Sequence, residues 1–309
     1  MTIKEQESPF HKFLATIKDR KTYFDELPGG NCGDAIILMG ARHLLQKTGC
    51  RLVDSPRDAE QILIRGSGNW VDIYQTDFKR LVNYRSNHSN LPLIVGPSTY
   101  RFRDLNFRKV CEIGSSPFIF FARDEISATV MREIGLPKHC QVHVSHDLAF
   151  ELQDSEFIRT LVKESSEKHV LVAMRKDKEG VAGVLVKMRG TWLPKKIRRP
   201  FSYIRDRMVA RVSKDTISTI LERENVPNTL PIIYRDVAAS LSFDEFVSTI
   251  RDAALIVTNR LHVAVLGHLL NKRVILVCSG DYHKHKLTGV YNLSMSSPNS
   301  KTILYVTDG

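Results

Sequence analysis

The 309-residue chain has no apolar run near the roughly 18 residues that a membrane-spanning helix needs. Its longest runs, such as PFIFFA, AALIV and RVILVC, have the length of strands. The opening stretch MTIKEQESPFHKFLATIKDR is polar and charged, which predicts no signal peptide. Cysteine is sparse: Cys32, Cys50, Cys111, Cys140 and Cys278 are scattered, odd in number and never spaced Cys-x-x-Cys. That excludes a disulfide framework and predicts a reduced, cytosolic chain with free thiols. No Gly-Lys-Ser/Thr follows a glycine turn, and no Gly-x-Gly-x-x-Gly or Gly-x-Ser-x-Gly occurs. The P-loop, the dinucleotide fingerprint and the hydrolase elbow are thereby removed.

Acidic residues are nearly missing from one stretch. Between Lys178 and Lys214 eleven basic residues face only Glu179 and Asp206, so this segment holds most of the net charge of +11. Such a field favours an anionic partner: nucleic acid, acidic lipid or a phosphorylated substrate. Trp192, Phe201 and Tyr203 are interleaved with the charge, and Phe201 to Lys214 reads as a basic amphipathic helix. A solvated excursion and a face resting on anionic lipid both fit this composition. No helix-turn-helix, zinc-finger or RNA-recognition signature accompanies the charge, so no specific nucleic acid is expected.

What is present is alternation. Strands are expected at Gln61–Arg65, Leu91–Gly96, Phe118–Ala122 and Val142–Ser145, and helices at Asp34–Lys47, Arg101–Glu112 and Asp124–Ile134. The pattern restarts with HVLVAM at 169–174. It continues through TLPIIY, a helix from Ser242 to Asp252, ALIVT, a helix after Arg260, and RVILVC. Strand–helix alternation implies βαβ units with parallel sheets. The expected fold is α/β with two Rossmann-like domains, residues 1–155 and 156–309, the second carrying the basic insertion at about 178–214.

Residues suited to chemistry gather where strands end. GGNCGDAIILMG, 29–40, is a glycine turn feeding a helix and offers Asn31, Gly33 and Asp34. Asp34 reads equally as a carboxylate at the helix start, facing the positive end of the dipole. RGSGNW, 65–70, brings Gly66, Ser67 and Gly68 to a second turn. FFARDEIS ends a strand with Arg123, and TNRLHVAVLGHLL repeats that placement with Arg260 and His262. GDYHKHKLTGVY follows a further strand with His283, Lys284, His285 and Lys286. Open α/β sheets bind ligands outside the carboxyl ends of their strands. Arg and Lys there suit carboxylate and phosphate, and a histidine beside them serves as an acid near neutral pH. In a strand, His283 and His285 would share a face, and His143 and His146 form another close pair. Neither pair has recognisable metal-ligand spacing, so no metal is expected.

Together GNCGDAI, ILIRGSG, ARDEIS, SHDLAF, TNRLHVAVLGHLLNKRVILV and DYHKHKLTGVY resemble the polysaccharide pyruvyl transferase family, in order, from about residue 30 to 291. The resemblance implies two Rossmann-like domains facing a cleft, in the manner of GT-B glycosyltransferases. It implies transfer of the pyruvyl group of phosphoenolpyruvate (PEP) to sugar hydroxyls of a polysaccharide or its lipid-linked precursor, with no cofactor beyond the donor. By the same resemblance Arg123, His262 and a lysine correspond to the donor-binding and catalytic positions. The chemistry makes His262 the expected acid, Arg260 a further cation on the donor side, and Asp34 a candidate to orient or deprotonate an acceptor hydroxyl. The family's lysine lies five residues before a closing aromatic, which gives Lys286 counting from Tyr291, with Lys284 the alternative. Asn31, Gly33, Gly66, Ser67 and Gly68 would line the acceptor side. The serine at 67, where the family has glycine, fits unless that position needs a positive φ. The Lys178–Lys214 segment matches nothing in the family; its charge and interleaved aromatics, with no membrane span, lead to the expectation that the chain works at the inner face of the cytoplasmic membrane, where that charge would meet anionic lipid. A glycosyltransferase using a nucleotide sugar and a nucleic-acid-binding protein are the competing readings.

Overall fold

A computed structural model describes residues 8–27, 29–68, 70–71, 75–102, 107–175, 217–224, 229–278 and 280–306. The basic segment Lys178–Lys214 and its expected amphipathic helix lie outside the described residues. By internal contacts the chain forms two compact units: Met1–Lys163 with Thr288–Ser300, and Glu164–Leu287 with Lys301–Gly309. The division expected after residue 155 therefore falls past the helix Glu156–Lys163, and a later segment returns to the first unit.

The first unit is built on six parallel strands. In chain order they are β1 (Thr22–Asp25), β2 (Leu52–Val53), β3 (Gln61–Ile64), β5 (Leu93–Ser98), β7 (Phe118–Ala122) and β8 (Cys140–Val144). They lie side by side as β2-β1-β3-β5-β7-β8. A separate parallel pair joins β4 (Trp70–Val71) to β6 (Tyr100–Arg101). The helices are α1 (Pro9–Ile17), α2 (Cys32–Thr48), α3 (Gln75–Asn87), α4 (Phe107–Cys111), α5 (Glu125–Glu133) and α6 (Glu156–Lys163).

Near-continuous apolar strands are what burial on both faces requires. Alternate residues accordingly enter different cores. Ile62, Ile64, Leu93, Val95, Phe118 and Phe120 pack on one side with Leu81, Val110 and Met131. Leu63, Ile94, Ile119 and Phe121 pack on the other with Leu14, Ile37 and Leu44. Asn31 caps α2 and Ser8 caps α1, and Gly49 closes α2 in the left-handed conformation. One helix expectation changes: the stretch from Arg101 does not open a helix. Tyr100 and Arg101 pair instead with Trp70 and Val71, where Trp70 and Tyr100 bring their rings to 6.4 Å, and the described helix is Phe107–Cys111.

The second unit repeats the plan with five parallel strands. They are β9 (His169–Ala173), β10 (Ile232–Tyr234), β11 (Ala253–Thr258), β12 (Arg273–Cys278) and β13 (Thr302–Val306), in the order β10-β9-β11-β12-β13. Its helices include α7 (Val237–Ser240), α8 (Phe243–Arg251) and α9 (Leu261–Leu269), and α10 (Gly280–Val290) begins in it, its last residues belonging to the first unit. The expected capping box from Ser242 to Glu245 starts α8. In each sheet the first strand has the second on one side and the third on the other. The connection thus reverses direction there, which defines a topological switch point in each unit. Among the described residues no helix is long and apolar enough to cross a membrane.

Two helix glycines separate rigid from yielding contacts. A Cβ at Gly40, on α2, would overlap the backbone carbonyl of Leu148, which the helical turn Leu148–Leu152 holds in place. At Gly267, on α9, it would meet only Ile256 Cδ1 at 2.7 Å and Val274 Cγ2 at 2.9 Å, both side-chain ends. Gly40→Ala is expected to destabilise the chain by about 3 kcal/mol in urea unfolding. Gly267→Ala is expected to cost under about 1 kcal/mol, because the helix-propensity gain offsets most of the crowding. Equal midpoints for the two variants would refute this ranking.

Candidate active site

The first switch point lies between the ends of β1 and β3. After β1 the chain passes Gly29 and Gly30 at φ of 91° and 109°, values that L side chains rarely adopt, and enters α2. Asn31 and Asp34 form a reciprocal capping box. Asn31 Oδ1 accepts from Gly33 N at 2.8 Å, and Asn31 N donates to Asp34 Oδ2 at 2.9 Å. Asp34 is thus the cap carboxylate of α2, and that cap lies at the switch point. After β3 comes Arg65, buried, with Nη1 donating to the Asp34 carbonyl at 3.1 Å. Burial draws the Arg65 guanidinium down, and Asp34, Asp77, Asp25 and Asp147 draw it back up. Its Nε has no partner.

The Gly66-Ser67-Gly68 turn follows directly. A Cβ at Gly66 would overlap the Pro97 carbonyl, so the turn lies hard against β5. Ser67 is not among the residues of positive φ, which is why serine is tolerated there. Its amide donates to Ser98 Oγ at 3.0 Å, and its hydroxyl donates to Asp77 Oδ2 at 3.2 Å. Gly68 is buried beside it.

Arg123, just past β7, is fully enclosed. Nη1 donates to Asp147 Oδ2 at 2.5 Å and Nε to Thr99 Oγ1 at 2.8 Å, and both members of the ion pair are 0% exposed. The pair ties the ends of β5 and β7 to the turn after β8. The expected grip of Arg123 on an anion thus meets a guanidinium already held at two points, with Nη2 buried and unpartnered. Asp124 caps α5, donated to by Ser127 N at 2.7 Å, and burial raises its carboxyl. Asp25, the last residue of β1, accepts from Arg80 Nη1 at 2.9 Å and from Tyr84 Oη at 2.9 Å.

The second unit builds its switch point by the same rules. Thr258, ending β11, donates to the Ala173 carbonyl of β9 at 2.7 Å and accepts from Arg260 N at 3.0 Å. Asn259 Oδ1 accepts from Arg175 N at 2.7 Å, sewing the two strand ends together. Arg260 is 4% exposed and grips Asp236 with two nitrogens, Nε to Oδ1 at 2.7 Å and Nη2 to Oδ2 at 2.5 Å. His262 stands in the first turn of α9, half-buried. Lys286 is half-buried on α10; Lys284 lies on the same helix, its side chain outside the described residues. The segment Gly280–Val290 is helical, so the strand on which His283 and His285 would share a face does not form. His143 stacks on Phe121 at 5.2 Å, and among the described residues no group of three or more His, Cys, Asp or Glu is placed to hold a metal.

Asp25, Arg65, Thr99, Asp147 and Asp236 escaped the sequence reading. Only their positions inside ILIRGSG and SHDLAF hinted at Arg65 and Asp147.

The model of one protein family, described as polysaccharide pyruvyl transferase, matches residues 31–282. A comparison with curated proteins gives no match. Among solved structures, a functionally uncharacterised protein of Klebsiella pneumoniae is similar with a TM-score of 0.63 at 16% identity, over 96% of this chain and 97% of that one. UDP-GlcNAc 2-epimerase of Methanocaldococcus jannaschii gives a TM-score of 0.37 at 12% identity, over 90% of this chain and 72% of that one.

The enclosed pair yields a stability prediction. Asp147→Asn leaves the Arg123 charge buried without its counter-ion and is expected to cost about 3–5 kcal/mol in urea unfolding. Thr99→Val removes one hydrogen bond to the same guanidinium and is expected to cost about 1.5–3 kcal/mol. A near-neutral Asp147→Asn would show that the pair does not hold the strand ends.

Proposed function

Because the chain belongs to the polysaccharide pyruvyl transferase family, we propose that it transfers the pyruvyl group of PEP to two hydroxyls of one sugar, forming a ketal and releasing phosphate. The family match over residues 31–282 carries this reading. The placement of His262 and Arg260 at a switch point supports it.

PEP has a carboxylate, a phosphate and an enol carbon that must gain a proton before its neighbour becomes electrophilic. His262 is the acid that delivers that proton. One sugar hydroxyl adds to the resulting cationic carbon. Phosphate leaves, and a second hydroxyl closes the ketal. Lys286, or Lys284 beside it on α10, meets the charge growing on the departing phosphate. Arg260, fixed by Asp236, and Arg123, fixed by Asp147, supply a positive field that need not reorganise during the reaction. On the acceptor side, Asn31, Gly33, Gly66, Ser67 and Gly68 shape the turns, and Asp34 takes a hydrogen bond from the attacking hydroxyl. No metal enters any step.

PEP at about 100 times its dissociation constant is expected to stabilise the chain by about 2.7 kcal/mol. Thermal unfolding with PEP, and with nucleotide sugars, tests this. Protection by a nucleotide sugar alone would turn the reading to a glycosyltransferase. His262→Ala is expected to lose about 100-fold or more in phosphate release while keeping PEP protection, because an acid acts mainly on the transition state. Near-normal turnover of that variant would move the acid to His283 or His285.

The acceptor is proposed to be lipid-linked, at the cytoplasmic membrane face. The charge of Lys178–Lys214 and its interleaved aromatics support this. Such attraction fades beyond about 8 Å at physiological salt. Co-sedimentation with vesicles is expected to need anionic lipid and to weaken with salt. Changing Lys195, Lys196, Arg198 and Arg199 to Gln is expected to reduce it while leaving turnover on a short soluble acceptor intact. Equal sedimentation with neutral vesicles would refute the membrane role, and lost soluble-acceptor turnover would place these cations at the active site instead.

A further inference from the structure

Arg85, in the last turn of α3, is 0% exposed. Its Nη1 and Nη2 donate to the carbonyls of Ser116 and Ile113, its guanidinium lies 5.0 Å from the centre of the Phe118 ring, and its Nε has no partner. Among the described residues no carboxylate forms an ion pair with it. A buried cation without a counter-charge is costly. The groups facing it that are able to become anionic are two thiols, Cys111 and Cys140.

The backbone brings these thiols together. Cys111 ends α4 and Cys140 begins β8. His139 Nε2 lies 2.9 Å from the Cys111 carbonyl oxygen, and Cys140 stands opposite Phe118 in the β7–β8 register. Both side chains pack into one core cluster, Cys111 within it and Cys140 against it. Cys111 is 0% exposed, whereas Cys140 is half-buried and within reach of a small oxidant. Both lie away from the strand ends that carry Arg123 and Asp147.

We propose that Cys140 and Cys111 form a reversible oxidation site, in which Cys140 reacts with a hydroperoxide, Cys111 resolves the product and Arg85 is the resident cation. The Cys140 thiolate attacks the peroxide O–O bond. Sulfur takes one oxygen as sulfenic acid, and the other leaves and gains a proton, as water when the oxidant is hydrogen peroxide. The Cys111 sulfur then attacks the sulfenic sulfur, its proton goes to the departing hydroxide, and water leaves as the disulfide forms. Two thiols are oxidised and one peroxide is reduced. The electrostatics agree with these roles. The hydrogen bond from Cys111 draws the Cys140 thiol down, burial opposes it, and Arg85 adds to the lowering. Donating that hydrogen bond to Cys140, then burial, push Cys111 up, with Glu112 adding to the rise. Burial raises Cys50, which is also half-buried and has no such cation.

The test uses the intact chain. After brief treatment with hydrogen peroxide, free thiols are blocked and the unreduced digest is mapped by mass spectrometry. A linked Cys111–Cys140 peptide is expected to form first and to vanish with dithiothreitol. In the untreated chain at about pH 7, iodoacetamide is expected to modify Cys140 about tenfold faster than Cys50. That comparison needs no variant to fold. Arg85→Met is expected to slow both reactions, and Arg85→Lys to retain part of the rate. Modification of Cys32 or Cys50 ahead of Cys140, or no linked peptide from the unmutated chain, would overturn the proposal.

Discussion

Two guanidinium groups buried at strand ends are each matched by a carboxylate, and much of the order at the carboxyl edges of the sheets follows from that pairing. Arg123 is matched by Asp147, Arg260 by Asp236 and Asp25 by Arg80. Each pair joins segments far apart in sequence. Removing a charge from water costs several kcal/mol, and mutual attraction repays it only with good geometry and further hydrogen bonds. The Arg123 pair has Thr99 as well, and the Arg260 pair is bidentate. Such pairs are weak evidence for net stability. Their consequence here is positional: side chains that would otherwise wander are held at the carboxyl ends of the sheets.

That fixing is what electrostatic catalysis asks of a protein. Dipoles and charges already in place do not have to reorganise when charge develops on a substrate. In each unit the switch point gathers such groups. In the first, the α2 cap, Arg65 and the Gly66–Gly68 turn converge. In the second, Thr258, Asn259 and Arg260 sew β9 to β11 and deliver His262 on the first turn of α9. The tight Gly66 turn and the positive-φ glycines after β1 let backbone, rather than side chains, line the first of these edges.

Much of the fold was legible because burial writes itself into sequence. Phe118–Ala122 and Arg273–Cys278 appear in the structure with the bounds their apolar runs suggested. The short strand Thr22–Asp25 did not, because four residues containing Thr and Asp carry no clear period. The edge strand Thr302–Val306 escaped for a related reason, since it is only partly buried. GDYHKHKLTGVY left strand and helix both open to the reader; backbone geometry placed it on a helix.

The sequence alone determined the α/β class, the two-unit organisation and the family, since hydrophobic period and motif order are local properties of the chain. It also named Asp34, Arg123, Arg260, His262 and Lys286, whose residue types suit the chemistry wherever the strands end. It did not reveal which of these cations are held by buried carboxylates. Asp147 lies 24 residues from Arg123, and Asp236 lies 24 from Arg260. Only the folded sheets bring them within hydrogen-bonding distance. The fold likewise decided that Asp34 caps α2, that Ser67 needs no positive φ, and that Arg85 faces two thiols instead of an acid. Partnership across a sheet depends on strand order and register, and no local pattern along the chain encodes them.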